Sequence, residues 1–241
     1  GVSSPIEPRW LQLLCLSLVV MRCQPLRRAL DLLEVFMDHF ELLKQQLEVL
    51  KGLSDRTDEI GYFAEEALRF YSIAGTLKDS DLLKNKSAEE RQISHILGRS
   101  LLEGYFWLIY IFDEPAQRKA RFDEKVHAFK REYGKYWNEL LASSKKQMES
   151  ADPSWASLSK PKDLNSMLSQ IKNDKGDKLS YLYSVYRAAS FDTHGNSMDA
   201  LFRTVFGKRC NFSFLDFNYG FDLMANQYLV ILQELQSRQE I

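Results

Sequence analysis

The chain has 241 residues, 45% hydrophobic and 27% charged, with a formal net charge of −1. That apolar share can build a sizeable core in one large domain or two small ones, while 11 glycines and 6 prolines are too few for a disordered or collagen-like chain. Near-neutral charge gives no global attraction for nucleic acid or an anionic membrane, which argues against a dedicated DNA-binding protein but leaves a local basic patch open.

Helical periodicity dominates from the start. Leu11 to Met21 follow Arg9 like a signal-peptide core. The run lacks a small-x-small cleavage site and falls short of the roughly 20 apolar residues needed to span a bilayer. Together with the next apolar segment it is read as a folded helical arm over residues 1–52. Leu26, Leu30, Leu33, Met37, Phe40, Leu43, Leu47 and Leu50 step by threes and fours, and Gly52 is expected to end that helix. Ser54 or Asp55 is the expected cap of the next, whose inward stripe is Ile60, Phe63, Ala67, Phe70 and Tyr71. A polar connection over residues 75–86 leads to Ser87-Ala88-Glu89-Glu90, a capping box that opens a long helix through Ile93, Leu97, Leu101, Tyr105, Leu108 and Phe112.

Asp113-Glu114-Pro115 stops that helix and starts another, carrying Phe122, Val126, Phe129, Tyr133, Trp137 and Leu140 at helical spacing. Residues 150–161 read as a loop, and a short helix follows from about residue 162 to 172. A helix over 179–194 ends at Gly195; Asn196 or Ser197 caps a short one through Phe206, and a last helix runs from about 215 to 236. No sustained alternation or hairpin turn points to strands. The expectation is one all-α domain over residues 1–241, a multi-helix bundle of about seven to nine helices with its core bundle in residues 87–236.

Polar chemistry concentrates in Tyr186-Arg187-Ala188-Ala189-Ser190-Phe191-Asp192-Thr193-His194. Steps of four place Tyr186, Ser190 and His194 in one row, with Arg187 bordering it. His194 has the chemistry of a general base, Ser190 of a substrate-orienting group or nucleophile, and Arg187 of a phosphate or oxyanion ligand. Ser190 lies within a helix and no G-x-S-x-G is present, which argues against a serine hydrolase. Arg99 and Glu103 stand one turn apart on an aromatic-rich helix. They are expected either to form a surface salt bridge or to meet the row across the bundle, with Tyr186, Arg99 and Glu103 as binding residues. A second reading makes the whole row architectural.

Glu124-x-x-His127 matches half of a di-iron bundle site, but no second such element occurs, so no metal is expected. P-loop, dinucleotide and EF-hand motifs are missing from the sequence, so no cofactor is expected either. The basic face around Lys125, Lys130, Arg131 and Lys135 is read as solvated, with RNA or phosphate contact as the alternative. Cys15, Cys23 and Cys210 are odd in number and form no C-x-x-C pair, which points to a reducing cytoplasm. No membrane partner is expected, and 15 Phe and 11 Tyr are compatible with a homodimer.

Arg99-Ser100-Leu101-Leu102-Glu103, then Trp155, then Tyr183-x-x-Tyr186-x-x-x-Ser190-x-x-x-His194 resembles a bacterial all-helical family of unknown function, over roughly residues 90–235. More loosely, Arg187 and His194, with six residues between them, are similar to the Arg-to-His signature of HEPN domains. Ala188 stands where that signature commonly has a polar residue. The resemblance implies a helical dimer in which Arg187 and His194 act on a scissile phosphate and its 2′-hydroxyl without metal. Two functions are therefore open: a HEPN-like protein binding or cleaving RNA or a nucleotide, and a non-enzymatic interaction or structural module.

Overall fold

Ten α-helices and no strand occur among the described residues, which are 38–84, 87–172, 177–193, 198–209 and 216–241 of a computed structural model. In chain order they are α1 (His39–Lys44), α2 (Leu47–Ser54), α3 (Glu59–Asp79), α4 (Ala88–Phe112), α5 (Arg118–Glu139), α6 (Ala142–Lys145), α7 (Leu164–Leu168), α8 (Asp177–Thr193), α9 (Met198–Phe206) and α10 (Phe217–Ser237). Seven of them have eight residues or more. The all-α bundle expected from periodicity is thus the observed architecture. Residues 1–39 and 40–241 form separate units, and the bundle is built by the second. Most of the expected N-terminal arm lies outside the described residues, as do Cys15, Cys23, Cys210 and residues 194–197.

Side-chain caps write the helix starts. Ser87 Oγ accepts from Glu90 N at 3.1 Å while the Glu90 carboxylate accepts from Ser87 N at 3.3 Å, the expected capping box. Asp58 caps α3, accepting from Ile60 N at 3.1 Å and Gly61 N at 3.0 Å. Its hydrogen bond from Arg56 is the first cause holding the Asp58 carboxyl below its ordinary range. The expected cap at Ser54 or Asp55 shifts to Asp58 because α2 runs through Gly52 to Ser54. Glycine costs only about 1 kcal/mol inside an exposed helix, too little to end one. The chain breaks earlier instead, at a turn where Gln45 N donates to Leu42 O at 3.2 Å.

The core lies among α3, α4 and α10. Residues 104–112 of α4 are buried without interruption, as expected of a helix enclosed on all sides. Phe70 of α3 sits at the centre, with ring centroids 5.0 Å from Tyr228, 5.9 Å from Phe221 and 6.0 Å from Phe40. At the other end of α4, a Cβ on Gly98 would stand 2.3 Å from the Phe217 ring. That ring is itself buried between His95 and Phe221, with centroids 5.8 and 5.7 Å away. At Gly98 the two helices approach so closely because α4 has no side chain there.

α5 keeps Phe122 of its expected stripe against the core and departs from it further on. Its buried residues are Arg118 and Arg121, and Phe129 is exposed. Arg118 pairs with Glu240, and Arg121 donates to Tyr110 O at 2.6 Å near the Asp113 carboxylate. The first turn of α5 is thus clamped by charge, while its later turns lie against the Pro153–Ser157 turn, where Tyr133 meets Trp155 at 6.1 Å. Among the described residues no helix is long and apolar enough to cross a membrane.

Candidate functional site

Leu182, Val185, Ala189 and Asp192 follow one another along α8 at helical steps, and all four are buried. The first three form the apolar stripe that seats α8 along α4. Asp192 continues that stripe with a carboxylate, which burial makes costly unless it is partnered. One oxygen lies 2.6 Å from His95 Nδ1 on α4; the other accepts from the Met198 N–H at the start of α9, at 3.0 Å. With the carboxylate oxygen as acceptor, Nδ1–H is the donor of this bond. His95 and Asp192 are 1% and 4% exposed. This pair ties three helices at one point, and sequence reasoning misses it.

The expected row lies beside it. Arg99 on α4 donates through Nε to Ser190 Oγ at 3.2 Å and through a terminal nitrogen to Tyr186 Oη at 3.0 Å. Its other terminal nitrogen meets Glu103 at 3.2 Å, and the guanidinium carbon stands 4.9 Å from the Tyr186 ring centre. Ser190 gives its only proton to the Tyr186 carbonyl at 2.7 Å. Tyr186 is held further by Phe106, edge-on at 5.8 Å, and by Tyr183, stacked at 6.3 Å. Arg99 and Glu103 therefore do meet Tyr186 and Ser190 across the helix pair, with Glu103 half exposed and reaching them only through Arg99. Arg187 is exposed on α8 and takes no part in this set of contacts. His194 lies outside the described residues.

Chemically, the hydroxyl of Ser190 is committed at both ends, its proton to a carbonyl and a lone pair to a guanidinium. Nothing in that arrangement raises its nucleophilicity. A helical serine bonding back to the carbonyl four residues earlier is an ordinary local satisfaction of the hydroxyl. Glu124 is likewise committed, accepting from Lys162 Nζ at 2.9 Å and Tyr110 Oη at 3.2 Å. Among the described residues no three His, Cys, Asp or Glu side chains converge as a metal would require. Lys125 stands 4.7 Å over the Trp107 ring, and burial pushes its ammonium below the ordinary lysine value against the pull of Glu66 and Glu103.

No family model, curated protein or solved structure matches the chain.

Burial pushes the His95 imidazole below its ordinary value of 6.5; the Asp192 hydrogen bond and charge oppose this, and Arg91 adds to it. A histidine with a depressed folded-state pKa is protonated more readily in the unfolded chain. Its stabilising contribution is complete above about pH 6.5 and is lost as pH falls from there through the lower folded-state value. His95→Gln cannot titrate. The melting-temperature gap between wild type and this variant should narrow from about pH 8 to about pH 5, and a gap that stays constant would show that His95 does not titrate in this way.

Proposed function

We propose that this protein is a non-enzymatic interaction module whose polar row locks α8 onto α4. The observation that carries this reading is the commitment of Ser190, which gives its proton to Tyr186 O and accepts from Arg99, while Tyr186 Oη accepts from the same guanidinium. The odd cysteine count supports a cytoplasmic setting. Arg99→Ala should lower stability by about 2 kcal/mol, since it removes charge-assisted bonds across a part-buried helix pair. Glu103→Ala should cost under about 0.5 kcal/mol, as an exposed partner does. Urea denaturation of the two variants checks both values. Equal losses would detach the row from the packing of α8.

A HEPN-like reading is favoured by one observation, the exposure of Arg187 and its absence from the clamp around Arg99. In that reading Arg187 and His194 act on the phosphate and 2′-hydroxyl of RNA across a homodimer, with Ser190 as an orienting group. Incubation of the protein with total RNA, alongside His194→Ala, separates the two. The module reading expects no His194-dependent cleavage, and its appearance would replace the module with a nuclease.

A further inference from the structure

The two halves of α5 use their cations differently. In the first half Arg118, Lys119 and Arg121 are held by Glu240, Asp123 and Asp113. In the second half Lys130 lies over the Trp155 ring at 5.7 Å, and beyond the helix Lys145 lies over Trp137 at 5.3 Å. Rings continue the surface between them. Phe129 and Tyr133 stack at 5.7 Å, Tyr133 meets Trp155, and Phe129 and Tyr136 are 65% and 50% exposed. Arg131, Lys135, Trp137 and Asn138 line a cleft of about 310 Å³ against the Pro153 turn.

We propose that this face, the outer half of α5 with the Pro153–Ser157 turn, binds single-stranded RNA. The proposal rests on the interaction-module reading and names its partner. A single strand offers what the face can take: phosphates for Lys130, for the Arg131 donors not given to Leu158 O, and for Lys135 in exchange for Glu132, with unstacked bases for Phe129, Tyr136 and the cleft. Cations beside aromatic rings, as Lys130 is beside Trp155, are part of the working surface of sequence-tolerant single-strand binders. A duplex would leave the rings without bases to stack on. A second copy of the chain is disfavoured, because a two-fold interface on this face brings two net-positive surfaces together. Over residues 129–160 six basic residues outnumber four acidic ones, against the net negative charge of the whole chain. Glu132 and Lys135 neutralise each other, which leaves five basic residues against three acidic ones, and Asp152 caps the turn through Ser154 N.

The test is fluorescence anisotropy of the full chain with a labelled oligouridylate of about 20 nucleotides, beside an RNA duplex of the same length. Binding to the single strand should exceed binding to the duplex and weaken steeply with salt. Phe129→Ala with Tyr136→Ala should weaken it about tenfold by removing stacking. Lys130→Ala with Lys135→Ala should flatten the salt dependence. These side chains are mostly outside the core, so melting temperatures should hold. Absence of single-strand binding, equal competition by polyglutamate, or unchanged affinity in the ring variant would each overturn the proposal. So would a ring variant that converts a dimer to a monomer while RNA affinity stays the same. Equal losses in the Arg99 and Glu103 variants would instead sink the module reading and leave these RNA outcomes untouched.

Discussion

Asp192→Ala should lower stability by about 3 kcal/mol, because it orphans two donors at once, the buried His95 Nδ1–H and the part-buried Met198 amide. The imidazole loses its partner where water has little access. Asp192→Asn keeps one carbonyl oxygen at the same place and should lose roughly half as much. Urea midpoints of the two variants, measured above pH 7, give the comparison. Equal losses would mean that the carboxylate is valued for its charge. A loss below about 1 kcal/mol for alanine would mean that the site relaxes and admits water.

Phe70→Ala should have the larger effect, about 4 kcal/mol, since truncating a buried phenylalanine removes its transfer energy and leaves a cavity. Phe70 touches rings from α10 and from residue 40 at once, and it is 1% exposed. Stiff aromatic neighbours collapse poorly into a void, so relief by repacking is small. Phe70→Leu should recover more than half of the loss. Chemical denaturation with matched slopes is the measurement, and a cost under about 2 kcal/mol for alanine would place the mechanical centre of the bundle elsewhere.

Fold class was legible because steps of three and four recur in nearly every segment, and the capping box at Ser87 is a local signal that tertiary context left alone. α5 shows where such reasoning runs out. Phe122, Val126, Phe129, Tyr133 and Trp137 have the spacing of a core stripe, yet of these Phe122 packs against the core, and the buried residues of that helix are Arg118 and Arg121. Period alone cannot distinguish rings that meet a core from rings that meet cations and solvent. The meeting of Arg99 with Tyr186 and Ser190 was legible, since a charge on so aromatic a helix needs a partner. The His95–Asp192 bond was harder, joining residues 97 apart in the chain. Its trace was nevertheless present: Asp192 falls in register with Leu182, Val185 and Ala189, where an apolar residue was due. A carboxylate in an apolar register is the signal to look for.

Gly98 has a consequence for how this chain can vary. A methyl group there would overlap Phe217, and Phe217 in turn abuts the ring of His95. A saturation library scored for folded protein should therefore return glycine alone at position 98, while Gly52, with nothing within 4 Å of its hypothetical Cβ, should accept most residues. One narrow point of tolerance in the bundle would then map to the crossing of α4 and α10, next to the buried imidazole.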